Sequence, residues 1–230
     1  MRAPILICGA ARSGTSLIGG VIEICGAFGG KMFGPHKANP KGMYENAYIR
    51  EKIVKPYLES TGNNPRCQYP LPDPHNLPLT DNFKELVENA IIADGYKDGE
   101  WFYKCPKMVH MWLQWDYAFP DAKWVIVRRK TPDIIKSCTK TGFMTAFHMQ
   151  QNLTSVGARN PYEGWRWWVR EHEKRFTEIA TALPHRVIWP ERMVYNDYGQ
   201  IKEMIEWLGL EWREKEVMEF IEPKLWRARN

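Results

Sequence analysis

The chain has 230 residues, 44% of them hydrophobic and 26% charged, a balance that excludes extended disorder. No run of about 18 apolar residues occurs, so no transmembrane segment is predicted, and five scattered cysteines with six histidines at no ligand spacing predict free thiols in a reducing compartment and no metal. The net charge of +5 comes from dispersed basic residues, which argues against a nucleic-acid binder and suits an anionic nucleotide ligand.

Met1, Arg2, Ala3 and Pro4 lead directly into an apolar strand, without the charged head, apolar run and cleavage site of a signal peptide, and the expected location is cytoplasmic. The stretch ILICGAARSGTSLIGGVIE, Ile5 to Glu23, reads as strand, glycine-rich turn and apolar helix ending near Ile24. Unpaired backbone N–H groups at a helix start, together with the helix dipole, hold a phosphate-like anion, and Gly9 and Gly14 let the backbone approach it closely. The spacing fits a Walker A loop except that Thr15 stands where the lysine belongs, so the single fixed cation is Arg12. A nucleoside triphosphatase without that lysine lacks the group that reaches the β and γ phosphates.

Gly26, Gly29, Gly30 and Gly34 lead into PHKANPKGMYEN, whose glycine and proline content predicts loops over an active face. A helix is expected from Asn46 to about Ser60, with Ile49, Ile53 and Leu58 inward and a kink at Pro56. The polar, proline-rich segment from Gly62 to Pro78 reads as a substrate-side lid. Asp81 is expected to cap a helix that buries Phe83, Leu86, Val87, Ala90 and Ile91 on one face. Strand Trp101 to Lys104 runs into the loop CPKMVH, and a second buried strand, Lys123 to Val127, ends at Arg128 and Arg129. Thr131 is the expected N-cap of the next helix and Pro132 its first residue, which puts Ser137 on the second turn. Ligands of open α/β sheets sit beyond the carboxyl ends of the strands, and there an arginine fork and a hydroxyl can grip one phosphate from two sides. A long helix after Pro161, a strand from His185 to Trp189 and a helix from Asp197 to Leu208 closed by Gly209 complete the pattern. Strands alternating with helices predict an α/β fold with a central parallel sheet and helices on both sides, as a single domain over 1–230. Most of the 11 tryptophans are assigned to the core, with one left to stack on a nucleobase. Lys224, Arg227 and Arg229 near the end are further candidates to reach a phosphate.

GAARSGTSL resembles the 5′-phosphosulfate loop of sulfotransferases that use 3′-phosphoadenosine 5′-phosphosulfate (PAPS), a strand followed by P-K/R-S-G-T-T/S, with Ala11 where many members carry proline. Its arginine form is closest to the bacterial and tyrosylprotein branches. KWVIVRRKTPDIIKSC is similar to the family's 3′-phosphate motif, R-D-P-x-D-x-x-x-S. Counted back from Ser137, Arg129 takes the arginine position and Asp133 the aspartate; counted forward from the strand, Arg128 does, and both stay open. NPKGMYEN resembles the N-P-x-G-x-x-E segment of bacterial members, and KCPK the family's K-x-P.

The resemblance implies a three-layer α/β/α fold of the P-loop nucleoside triphosphatase type and PAPS as co-substrate, with no metal. It puts Arg12, Ser13, Gly14, Thr15 and Ser16 on the 5′-phosphosulfate, and Arg128 or Arg129 with Ser137 on the 3′-phosphate. Glu45 is implied as the base for an acceptor hydroxyl or amine, Arg12 as the charge on the leaving phosphate, and Lys104, with Lys107 beside it, as a contact to the transferring oxygens. Glu45 also suits a plain role complementing a helix dipole, and His36 and His110 are second-choice bases. The R-K-G-x-x-G-D-W-K loop of cytosolic members is absent, so any 3′-phosphate contacts it makes fall to other residues. The expected acceptor is a small molecule or glycan; the mixed polar and aromatic residues of Gly30 to Tyr44 and Gly62 to Pro78 suit a glycan, a lipid-linked sugar, a phenol or a peptide tyrosine alike. The alternatives are a nucleotide or small-molecule kinase, which needs a Mg²⁺-binding acid where this strand ends in arginines, and a catalytically inactive nucleotide-binding module.

Overall fold

Four short apolar strands, β1 (Ile5–Gly9), β2 (Phe102–Lys104), β3 (Lys123–Val127) and β4 (His185–Ile188), form the sheet. All pair in parallel in the order β2-β1-β3-β4 in the computed structural model, which describes residues 1–37 and 39–226. Gly9 lies level with Val127 and Ile7 with Lys104. From β1 the chain crosses to β2 on one side, and from β3 to β4 on the other. The order therefore reverses between β1 and β3, and the loops leaving those two strands face each other at the ligand-binding position of open α/β sheets.

Successive strand residues point to opposite faces, and each face is apolar because each is covered. Leu6, Cys8, Tyr103, Trp124 and Ile126 pack with Leu58 of α2 (Lys55–Ser60), with α3 (Phe83–Ala93) and α4 (Trp112–Ala118), and with Phe176 and Ile179. Ile5, Ile7, Phe102, Val125 and Val127 pack on the other face against α1 (Thr15–Ile24) and the later helices α8 (Pro190–Val194), α9 (Gly199–Leu208) and α10 (Glu214–Phe220). A third cluster joins α5 (Thr131–Thr139), α6 (Gln150–Ser155) and α7 (Pro161–Ala182) around Phe147, Trp165 and Trp168, next to Ala10 of the loop after β1. The result is the expected three-layer α/β/α arrangement. Trp101, Trp115, Trp124, Trp165 and Trp168 are fully buried.

The differences from expectation are local. Around Pro56 the helix changes type: residues Ile49–Val54 form a π-helical turn, and Pro56 falls in the first turn of α2. Asp81 does not cap α3; Asn82 precedes it without a side-chain cap, and Asp81 instead accepts a hydrogen bond from Tyr117 Oη at 2.6 Å. Leu86 is exposed, because the buried stripe runs through Phe83, Val87, Ala90 and Ile91. Thr131 is the first residue of α5 rather than its cap, which is Lys130. β4 stops at Ile188, since Trp189 leaves the sheet to give its N–H to Gln200 Oε1 and start α8. The five cysteines are free and buried. Among the described residues no helix is long and apolar enough to cross a membrane.

Candidate active site

The loop from Ala10 to Gly14 joins the end of β1 to α1. It closes on itself where Ser13 N donates to Ala10 O at 3.0 Å. Arg12 lies in the left-handed region at φ 74 and Gly14 at φ 99, conformations that cost little only for glycine, so the Arg12 backbone is held by its surroundings. Gly9 has no room for a side chain: a Cβ there would lie 2.7 Å from Val127 O and 2.7 Å from the Thr15 methyl. Both glycines are therefore required by the shape of the turn.

Across the β1–β3 boundary, Arg12 Nε donates to Ser137 Oγ of α5 at 3.0 Å. Arg129, the second residue after β3, is buried and gives Nη1–H to the Arg12 carbonyl at 2.9 Å. Arg129 Nε and Nη2 and Ser13 Oγ are buried with no hydrogen-bond partner among the described residues. Burial draws the Arg129 pKa down, with Asp133 and Glu191 opposing it, and its guanidinium lies 4.0 Å from the Trp226 ring centroid. Arg12, Gly14, Thr15, Ser16, Arg129 and Ser137 together line one cleft. Arg128 is outside it, ion-paired to Glu173 and stacked beside Trp189. Lys224 ion-pairs with Glu222 at 3.1 Å, and Arg227 and Arg229 lie outside the described residues.

A second cleft opens on the β2 side of the loop and shares Arg12, Thr15, Ser16 and Asn39 with the first. It is the roomier of the two, about 370 Å³ against about 140 Å³. Asn39 Nδ2 donates to Ser16 Oγ at 2.8 Å and Ser16 Oγ to Met43 O at 3.1 Å, which pins Asn39 and Met43 against the start of α1. On the far side the expected lid contributes Arg66, Cys67 and Gln68. Gln68 is anchored by Nε2–H to Phe143 O at 2.7 Å and by accepting from Thr145 N at 3.0 Å.

Glu45 lies in this second cleft, buried, with Lys104 Nζ at 2.9 Å on Oε1 and Arg50 Nη1 at 3.1 Å on Oε2. Burial alone would raise its pKa, but the charges of Lys104, Lys107 and Arg50 prevail and hold it at about 2. His36 and Lys107 line the same cleft. His110 does not: it is buried against His172, Nε2 to Nε2 at 3.1 Å, and burial, then His172 and Arg175, keep its pKa well below the usual histidine value. Sequence reasoning missed Arg50, Asn39 and Trp226. Asn39 stood inside the NPKGMYEN motif, while nothing local marked the other two.

This architecture, with the loop after β1 at the sheet's reversal point, belongs to the P-loop-like α/β/α class. The profile of the sulfotransferase family matches residues 4–214, and the chain belongs to that family. The sulfotransferase domain from the curacin biosynthetic pathway is similar in fold, with a TM-score of 0.59 at 13% identity over 96% of this chain and 78% of that one. Sulfotransferase STF9 from Mycobacterium avium superposes with a TM-score of 0.55 at 15% identity, over 100% of this chain and 68% of that one. No curated protein matches the sequence.

Proposed function

We propose that residues 1–230 act as one domain that moves a sulfuryl group from PAPS to an acceptor hydroxyl or amine by in-line displacement. The observation that carries this reading is the Arg12–Ser137 contact at 3.0 Å, which joins the two motifs at the reversal point and leaves buried Arg129 donors without a hydrogen-bond partner among the described residues beside it. Unsatisfied buried N–H groups are costly unless a ligand takes them up, and a phosphate supplies the acceptor oxygens that Arg129 lacks. Arg12, Ser13, Gly14, Thr15 and Ser16 would hold the 5′-phosphosulfate, and Arg129 with Ser137 the 3′-phosphate. Arg128, tied to Glu173, is the weaker candidate.

PAPS supplies the activated sulfuryl group, and this chain's residues orient it and neutralise charge. The bond from sulfur to the phosphate's bridging oxygen breaks as the bond to the acceptor oxygen forms, and Arg12 takes up charge on the departing phosphate. Lys104 faces the transferring oxygens, and Glu45, ionised at every working pH, receives the acceptor's proton. A weakly basic carboxylate suffices where the acceptor proton becomes acidic only as its oxygen bonds to sulfur. A metal has no part in this scheme. Five free, buried cysteines suit a reducing, cytoplasmic setting.

The test is calorimetry and thermal protection with adenosine 3′,5′-bisphosphate against ATP with Mg²⁺, followed by mass-detected sulfate transfer across hydroxyl and amine acceptors. Binding of the bisphosphate with transfer that is lost in Arg12→Ala supports the proposal. Binding of ATP with Mg²⁺ in its place would turn the reading to a kinase, and bisphosphate binding with no transfer to any acceptor would turn it to an inactive nucleotide-binding module.

A further inference from the structure

The second cleft carries more positive charge than the proposed transfer uses. Arg12, Arg50, Lys55, Arg66, Lys104 and Lys107 all line it, and Glu45 is the one lining carboxylate among the described residues. Most of these cations have partners. Lys104 and Arg50 close on Glu45, Lys55 is held by Glu51 at 2.6 Å, and Arg12 bonds Ser137 across the loop. The side chains of Lys107 and Arg66 make no hydrogen bond or ion pair with any described residue. Lys107 is only partly exposed and follows Pro106 in the 3₁₀ turn after β2. It stays charged: burial pulls its pKa down, but Cys105 and then Glu45 beside it outweigh this and raise it.

Lys107 thus carries a charge with no hydrogen bond or ion pair of its own, and its ammonium can donate to an anion that enters the cleft. The sulfonate in transit brings one negative charge, which Arg12 and Lys104 already face. Phe143 and Met144 add apolar wall to the same cleft, suited to the body of a small organic molecule. We infer that the acceptor is itself an anion, a small hydroxyl compound carrying a carboxylate, phosphate or sulfate group that Lys107 and Arg66 hold while its hydroxyl meets Glu45. This deepens the proposed function and rests on it for the identity of the hydroxyl as acceptor. Lys107 also acts on Glu45 through space; a residue kept only for that effect would not discriminate between ligands by charge.

The experiment saturates the protein with adenosine 3′,5′-bisphosphate, so that added anions are kept out of the first cleft, and then titrates three matched phenols by calorimetry. These are 4-hydroxyphenylacetate, 4-hydroxybenzenesulfonate and the neutral 2-(4-hydroxyphenyl)ethanol. At least one anion is expected to bind about 10-fold more tightly than the neutral phenol, the gain of one charge-assisted hydrogen bond. Lys107→Met and Arg66→Gln each reduce that preference to about 3-fold or less, and Lys107→Arg retains it. Arg66 is exposed, so Arg66→Gln reports even if Lys107→Met folds poorly. Equal binding of neutral and anionic phenols, no binding by any of them, or a preference that survives both substitutions overturns the inference. The bisphosphate titration is read first and separately: its failure removes the proposed function, and the charge preference of the second cleft is then measured on ligand-free protein.

Discussion

Replacing Glu45 by glutamine tests the electrostatics of the second cleft through stability alone. The carboxyl is buried between Lys104 and Arg50, and its pKa is lowered from 4.5 to about 2. At about 1.4 kcal/mol per pH unit, that lowering corresponds to roughly 3 kcal/mol of folding stability. The folded-state pKa lies below the unfolded value, so this stabilisation is complete above the unfolded pKa and disappears as the pH falls through the folded one. Urea unfolding of the wild type should therefore lose roughly 3 kcal/mol between about pH 6 and about pH 2 from this group, beyond what other carboxylates contribute. Glu45→Gln removes the titrating group and leaves Lys104 buried without its counter-charge. The variant should be less stable than wild type by roughly 3 kcal/mol at neutral pH, and the gap should close toward acid. Lys104→Met in the Glu45→Gln background should cost less than Lys104→Met alone, because the two side chains share one interaction. Parallel stability curves for wild type and Glu45→Gln across the acid range would show that Glu45 is not held low, and the account of this cleft would fail.

Arg129→Ala should weaken adenosine 3′,5′-bisphosphate binding about 10- to 100-fold by calorimetry, the loss of one or two charge-assisted hydrogen bonds. Arg128→Ala should change it by less than about 3-fold, and equal losses would undo the choice between them. Arg12→Ala should lower single-turnover sulfate transfer by about 100- to 1,000-fold, the usual cost of removing one preorganised charge-stabilising donor; a rate within a few-fold of wild type would take Arg12 out of the transition state. Gly9→Ala drives a methyl against Val127 O, a backbone atom that cannot swing aside, and should cost roughly 1–3 kcal/mol in denaturant unfolding. With Glu45 titrating near 2, its ionisation should leave no acid limb in kcat/KM down to about pH 4. A limb with a midpoint near neutrality would identify another group as the base.

The first strand, its loop and α1 were legible in the sequence because each of their determinants is local: apolar β-branched residues, glycines at fixed offsets, then an apolar helix. The remaining strands were legible to within a residue for the same reason. Errors arose where a long-range contact replaced a local one, as when Asp81 turned to Tyr117 rather than to its own helix. Arg128 and Arg129 could not be separated by counting along a motif, because side chains leaving a strand alternate between its two faces. Only the packing of Glu173 beside one and Arg12 O beside the other tells them apart. Arg50 was invisible for a related reason. It stands five residues after Glu45 and reaches back to it, a spacing outside the i, i+3 and i, i+4 pattern that signals a helical pair.

The two clefts meet in a wall made of Arg12, Thr15, Ser16 and Asn39, and this shared wall bears on mechanism more directly than any single residue. In-line displacement needs the nucleophile on the side of the sulfur opposite the leaving oxygen, so donor and acceptor must approach from opposite directions and meet at one point. In the proposed reaction the loop at the end of β1 would provide that geometry, since the strand order reverses there. The β3 side supplies Arg129 and Ser137, the β2 side supplies Lys104, and the Glu45 segment is pinned across the front by Asn39 and Ser16. Cutting the pin with Asn39→Ala would leave both sets of charged groups in place and remove only their alignment. In the proposed reaction its effect should therefore fall on kcat, with bisphosphate affinity little changed.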